Sequence, residues 1–425
     1  MTVAVFLGSL LGSMAFGLPI AFALIVCAVA IMLYQGSFDA QVVAQNMIVG
    51  ADSFPLLAIP FFMLAGELMT VGGMSRRIVD MSLAWVGHIR GGLGIVTVMA
   101  AIIMASLSGS AAADTAALAS ILIPMMRNAG YNVPRSCGLI AAGGIIAPVI
   151  PPSIGYILFG VAANVSISRL FLAGIVPGIL MAASLLVAWM IVVRRDRVQV
   201  LPRQGMRARG RALVDAFWAL LMPVIILAGI RFGVFTPTEA AVVAAVYALL
   251  VGLFIYRELT PALIYHAFLS AAKTTAVVMF LAAAAFVSAW LIASANIPQE
   301  VAEMLAPFMD NKTLLMFVLM AIVLVVGTAL DFTPTVLILT PVLMPVVRQA
   351  GIDPVYFGVL FIMNNAIGLI TPPVGIVLNI VAGIAKEPLG RVITGVMPFL
   401  IAQSLVLLLL ILFPQIVLVP LNFLR

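Results

Sequence analysis

The residues of this chain whose types and spacing could do chemistry are hydroxyl, amide and carboxyl side chains set beside prolines and glycines in otherwise apolar sequence. One group is Ser108-Gly109-Ser110-Ala111-Ala112-Ala113-Asp114-Thr115, and a second is Ala329-Leu330-Asp331-Phe332-Thr333-Pro334-Thr335. Downstream of each comes a double proline, in Ala147-Pro148-Val149-Ile150-Pro151-Pro152-Ser153 and in Asn364-Asn365-Ala366-Ile367-Gly368-Leu369-Ile370-Thr371-Pro372-Pro373. Adjacent prolines remove two N–H donors and break a helix, so the carbonyls just before them lose their partners. In hydrocarbon such carbonyls are costly unless they line a polar site. Bare carbonyls beside a hydroxyl suit a hard, oxygen-seeking cation such as Na⁺.

The two groups belong to a repeat. Pro124, Arg127, Gly130, Pro151-Pro152, Gly174 and Pro177 recur as Pro345, Arg348, Gly351, Pro372-Pro373, Gly395 and Pro398, at a constant offset of 221 positions without a gap over about seventy residues. Paired Pro- and Gly-interrupted apolar segments in corresponding places of two halves point to a secondary transporter whose site is built from broken helices. Each copy reads as a hairpin with its tip at Ser108–Thr115 or Ala329–Thr335, a polar turn at Arg127–Asn132 or Arg348–Asp353, and a helix broken at the double proline. Gly130 and Gly351 suit left-handed C-caps, with Arg127 and Arg348 near the negative end of the helix dipole in a structural role.

These elements must lie in lipid. Of 425 residues 64% are hydrophobic and 8% charged, and the mean hydropathy is +1.28. A soluble globule carries about 25% charged residues. The apolar stretches allow about ten to twelve crossings at roughly 20 residues each. The N-terminus reads as the first membrane helix, not a cleaved signal. Seven Arg between Arg194 and Arg211, against the single acid Asp196, form a basic linker over 194–212. The positive-inside rule places that linker in the cytoplasm, and a nucleic-acid role is excluded for a segment held at a membrane. Ser37–Asp52 and Ser294–Lys312 read as surface segments. Cys27 and Cys137 read as small core residues. With no nucleotide, metalloprotease or nucleophile motif, neither ATP hydrolysis nor other enzyme chemistry is expected. A channel is disfavoured by the closed Gly/Pro-rich hairpins.

Ser108-Gly-Ser-Ala-Ala-Ala-Asp-Thr, Pro151-Pro-Ser, Thr236-Pro-Thr-Glu-Ala and Ala366-Ile-Gly-Leu-Ile-Thr-Pro-Pro-Val-Gly resemble the large membrane subunit of tripartite ATP-independent periplasmic (TRAP) transporters, over essentially the whole chain. The resemblance implies an all-α polytopic protein of the bacterial inner membrane with two inverted repeats, re-entrant hairpins and discontinuous helices. It implies Na⁺-coupled, elevator-type import of an organic acid such as a C4-dicarboxylate or sialic acid. It also implies two partners, a small four-helix membrane subunit and a periplasmic substrate-binding protein. A stand-alone divalent-anion/Na⁺ symporter of related architecture is the alternative. The whole chain is expected to be one transport unit. The first repeat is placed at about 50–180, with a hairpin at 95–130 and a broken helix at 138–163. The second is placed at about 270–400, with a hairpin at 313–350 and a broken helix at 355–385.

The candidate substrate contacts are Ser108, Ser110, Ser166, Glu239, Asp331 and Thr333. The candidate Na⁺ ligands are Ser108, Ser110, Gly144, Ala147 and Ile150 in the first half and Gly327, Thr333, Gly368 and Thr371 in the second, mostly through carbonyls; no other cofactor is expected. Asp331 is expected to shape the site or cap the adjoining half-helix, and Glu239 to do one or the other equally. Asp114 and Glu67 are expected to be structural, and Lys273 to reach toward the membrane surface. No basic residue lies in either tip or break, so an anion is expected to be held by helix N-termini, hydroxyls and Na⁺ itself.

Overall fold

The computed structural model describes residues 2–194 and 198–423, so Arg195, Asp196 and Arg197 of the basic linker lie outside the described residues. Its helices are, in order, α1 (Thr2–Ala15), α2 (Ile20–Tyr34), α3 (Ala40–Ala51), α4 (Ala58–Val71), α5 (Met74–Val86), α6 (Gly92–Ser108), α7 (Ala111–Asn128), α8 (Val133–Gly144), α9 (Ile154–Ala163), α10 (Ile167–Val193), α11 (Met206–Arg231), α12 (Pro237–Leu250), α13 (Pro261–Ser294), α14 (Ile297–Leu305), α15 (Lys312–Ala329), α16 (Phe332–Gln349), α17 (Pro354–Gly368), α18 (Ile376–Ala385), α19 (Leu389–Leu412) and α20 (Gln415–Phe423). Among the described residues eight helices are long and apolar enough to cross a membrane, and six apolar helices are shorter. The sequence expectation of ten to twelve crossings counted stretches that fold as paired short helices. Part of the expected linker is also helical: Arg207, Arg209 and Arg211 lie in the first turns of α11.

The 221-residue register carries into the helices. α7 shifted by 221 coincides with α16 at both ends, and α6, α8, α9 and α10 fall on α15, α17, α18 and α19 to within a few residues. Local chemistry explains the shared boundaries. Ser110 and Asp331 occupy equivalent N-cap positions and accept from Ala113 N–H and Phe332 N–H. Asn132 and Asp353 do the same ahead of Pro134 and Pro354, which favour the first turn of a helix. Gly130 and Gly351 close the return arms with φ of 80° and 64°. Both double prolines hold a cis peptide bond. The same register pairs α14 with α5, two amphipathic helices ahead of the two hairpins, although only the Ser294–Lys312 segment signalled this in the sequence.

The two halves pack across each other. α7 lies on α18, α16 on α9, and α8 on α19. Arg127 donates to Ala385 O at the end of α18 (2.6 Å), and Arg348 donates to Ala163 O at the end of α9 (2.6 Å). Each arginine therefore satisfies the C-terminus of the other half's broken helix, in addition to lying near the end of its own. Arg127 also sits 3.7 Å from Glu387. A second group, α1 to α4 with α11 to α13, supplies the remaining wall: α4 packs on α12 and α13, and α13 on α2 and α3.

The α8–α19 crossing is glycine-dependent. A side chain at Gly138 would meet the Gly395 carbonyl, and one at Gly395 would overlap the Pro134 carbonyl, both fixed backbone. Gly395→Val is expected to cost more than about 3 kcal/mol by overpacking, read as loss of the monodisperse peak in detergent. Gly390→Ala on the same helix, with no atom near a new Cβ, should behave as wild type.

Candidate functional site

Both hairpin tips and both helix breaks open onto one cavity of about 230 Å³. Its wall holds Gly109 to Ala112 and Asp331 to Thr333 from the tips, and Pro148, Ile154, Gly155, Leu369, Ile376 and Val377 from the breaks. Met63 of α4 and Thr274 and Val278 of α13 close the other side. The four helices α7, α9, α16 and α18 all begin at this wall. Their first-turn N–H groups have no intrahelical partner and carry the positive ends of four dipoles. No Lys or Arg lines the cavity. Such N-termini could hold an anion through backbone N–H groups.

Caps tune these N-termini. Ser153 accepts from Gly155 N–H and donates to Pro148 O (2.5 Å), tying the two ends of the first break together. In the second break, Thr371 donates to Ile367 O (2.8 Å), and Val377 N–H reaches back to Leu369 O. Asp331 caps α16 through Phe332 N–H at 2.7 Å, and its residue is exposed at the cavity wall. Asn365 fastens this tip to its broken helix by donating to Phe332 O (2.9 Å).

Behind each tip lies a small oxygen cluster. In the first half Ser108 donates to Asp114 Oδ1 at 2.5 Å. Asp114 is 3% exposed, and its Oδ2 has no hydrogen-bond partner among the described residues. Thr115 Oγ1 is likewise buried without a partner, and it lies against Gly144, where a Cβ would overlap it. In the second half the buried, unpartnered oxygens are Oδ1 of Asn364 and Oδ1 of Asn365. A Cβ on Gly327 would lie 2.9 Å from Asn365 Oδ1, and one on Gly368 would lie 2.8 Å from the Gly327 carbonyl oxygen. Buried polar atoms without partners are costly. Here they are all oxygens: Thr115 Oγ1 lies against Gly144 in one half, and Asn365 Oδ1 lies against Gly327, which faces Gly368, in the other. That donor set fits Na⁺. The clusters are equivalent in place but not in residues: the carboxylate sits on the hairpin in one half, and the amides on the broken helix in the other.

The structure distributes the sequence candidates as follows. Ser110, Asp331 and Thr333 line the cavity. Ser108, Gly144, Gly327 and Gly368 belong to the oxygen clusters. Ala147, Ile150 and Thr371 lie in the breaks. Ser166 and Glu239 do not face the cavity. Ser166 caps α10 by accepting from Arg169 N–H. Glu239 forms a capping box with Thr236 at the start of α12. Asp114, expected to be structural, presents the buried carboxylate of the first cluster. Thr115, Asn364 and Asn365 were not singled out; the Asn-Asn pair at the end of an apolar helix was the available signal. Glu67 has a scaffold contact, accepting from Ser270 at 2.7 Å.

Residues 7–416 match the family described as "Tripartite ATP-independent periplasmic transporter, DctM component". The chain is 54% identical over 425 residues, all of both chains, to the 2,3-diketo-L-gulonate TRAP transporter large permease protein YiaN of Escherichia coli. It is 39% identical over 405 residues, 95% of each chain, to the sialic acid TRAP transporter large permease protein SiaM of Vibrio cholerae. It is 39% identical over 350 residues, 82% of each chain, to the C4-dicarboxylate TRAP transporter large permease protein DctM of Pseudomonas aeruginosa. Among solved structures, the YdaH transporter of Alcanivorax borkumensis shares the fold, with a TM-score of 0.64 at 14% identity over 88% of this chain and 89% of that one.

Proposed function

The chain belongs to the DctM family, the large permease subunits of TRAP transporters, and from that premise we propose that it imports an organic anion by coupling it to Na⁺ in an elevator movement. The protein is a multi-pass inner-membrane transport subunit and not an enzyme. Membership decides against the stand-alone symporter. The observation that carries the proposal is the convergence of four helix N-termini on one cavity without a basic side chain. Such a site favours a carboxylate. Two buried oxygen clusters behind the tips favour Na⁺, with Asp114, Thr115 and Gly144 holding one ion and Asn365, Gly327 and Gly368 the other. Bound Na⁺ would add the positive charge that the cavity otherwise takes only from helix dipoles, and so tie anion affinity to the ion.

Inversion of the repeats is part of the reading. α8–α9 starts beside the base of the first hairpin and ends at Ala163, against Arg348 at the base of the second. α17–α18 starts beside the second base and ends at Ala385, against Arg127 at the first. The two broken helices thus run in opposite senses. Arg90 at the first base donates to Arg194 O at the start of the basic linker, which puts that base on the cytoplasmic side under the positive-inside rule. In the elevator reading the tips and breaks move as one body against α4 and α13. A sugar acid or related carboxylate is the proposed cargo, on the strength of the 54% identical 2,3-diketo-L-gulonate permease. A binding protein would deliver it, and a small membrane subunit would complete the complex.

In proteoliposomes holding both membrane subunits and supplied with loaded binding protein, uptake without ATP should rise with Na⁺ at a Hill slope of about 2, one ion per cluster. A slope near one, or full uptake in K⁺ alone, would count against the pair of Na⁺ sites.

A further inference from the structure

α13 is apolar for most of its length, but His266, Ser270 and Lys273 recur at i, i+4 and i+7 and therefore share one face. The next residue on that face is Val277, which is 68% exposed. Val277 lines an apolar cavity of about 530 Å³ between the start of α2, α13 and the second tip, where Asp331 and Thr333 also stand. Thr274, beside Lys273, lines the site cavity itself. The polar face thus leads from the Pro261 end of α13 to the place where substrate would sit.

Depth makes this face unusual. The site cavity touches Thr274 and Val278, around the middle of α13, and Met63, near the middle of the Phe54–Val71 span. At 1.5 Å per residue, Lys273 lies about 7 Å from that mid-plane. The hydrocarbon edge is about 15 Å from it. Lys273 is exposed and has no ion pair or hydrogen bond among the described residues. Ser270, one turn away on the same face, donates to Glu67. A bare ammonium at that depth is expensive against lipid and inexpensive against water.

We propose that this face of α13 is the wall of a water-filled track joining the basic side of the membrane to the site cavity, and that Lys273 is the positioning residue that draws the organic anion along it. The inference rests on the reading of the protein as an organic-anion importer. It adds a path and a named cation to that reading. The charge would raise the local concentration of an anion in a low-dielectric cleft, and it lies on the static wall, outside both Na⁺ clusters.

Single cysteines read the track in the purified two-subunit complex. Cys27 and Cys137 are buried, so the background is low. His266→Cys and Val277→Cys should react with a charged, water-soluble methanethiosulfonate. Phe268→Cys, on the opposite face of α13, should not. Adding 2,3-diketo-L-gulonate with Na⁺ should protect Val277→Cys. Lys273→Gln in that background should raise the half-protecting concentration about tenfold, and Lys273→Arg should restore it, at unchanged melting temperature. Equal labelling of Phe268→Cys, or no labelling at His266→Cys and Val277→Cys, would mean that the face meets lipid and overturn the track. Protection unchanged by Lys273→Gln would remove Lys273 from it. If no organic anion is taken up by the wild-type complex, the functional reading fails instead, and the labelling pattern still reports whether water fills the track.

Discussion

Asp114→Asn is expected to leave a folded transporter that has lost most of its affinity for Na⁺. The substitution keeps the size of the side chain and an acceptor for the Ser108 hydroxyl. It removes the charge and turns one oxygen of the buried pair into an NH₂ donor, which repels a cation. Charge-assisted contacts of this kind contribute about 2–3 kcal/mol. The half-saturating Na⁺ concentration for uptake should therefore rise roughly 30- to 150-fold at 1.4 kcal/mol per decade. Melting temperature in K⁺ should stay near wild type, because the carboxylate is desolvated without a full set of partners. The share of the wild type's stabilisation by Na⁺ that comes from the first cluster should disappear. Asp331→Asn acts elsewhere. Its carboxylate caps α16 at the cavity wall, so that change should reduce uptake while Na⁺ still stabilises the protein. If Asp114→Asn kept wild-type Na⁺ dependence, the first cluster would not be an ion site.

The second large effect is expected from one methyl group. Gly143 and Gly144 are neighbours at the end of α8, both buried. A Cβ on Gly143 would meet the Ala101 Cβ at 3.3 Å, a contact that side chains can absorb. A Cβ on Gly144 would overlap Thr115 Oγ1 and lie 3.2 Å from the Ala111 carbonyl oxygen. Gly144→Ala must rotate Thr115 out of the cluster or push α7 off α8. Transport should fall at least about 100-fold, in line with about 3 kcal/mol for overpacking. Gly143→Ala should retain most of it. Uptake at saturating Na⁺, measured for both variants at equal reconstituted amounts, decides the comparison; similar loss in both would show a packing defect and not a displaced ligand.

Much of the scaffold of the site was legible because its signals are local. The 221-residue register, the cap at Asp331, the left-handed Gly130 and Gly351 and the proline breaks all express chemistry within a few residues. That same locality misled at Ser166, while Glu239, read equally as a cap or a site residue, is a cap. A hydroxyl or carboxylate at a helix start looks alike in sequence whether it caps the helix or meets a ligand, and both proved to be caps away from the cavity. At Asp114 the structure adds a contact that the sequence does not show. One turn into an arm, it reads as a dipole complement; only the turn at Gly109, which brings Ser108 across, turns it into half of an oxygen pair. Nor can sequence tell that four helix starts meet at one point, since the meeting depends on contacts between two halves offset by 221 residues. The arginines near 127 and 348 were correctly placed at helix ends, but their partners lie 258 and 185 residues away along the chain.

Those two arginines also set an order on biogenesis. The chain is made from the N-terminus, so the end of α9 enters the bilayer with the Ala163 carbonyl uncapped until Arg348 has been synthesised, 185 residues later. Arg127 meets the opposite delay and has no Ala385 carbonyl to bind until 258 residues after its own synthesis. Neither half can close its own broken helix, so a nascent first half remains an open intermediate however well its helices insert. The permease becomes a sealed unit only when its second half arrives.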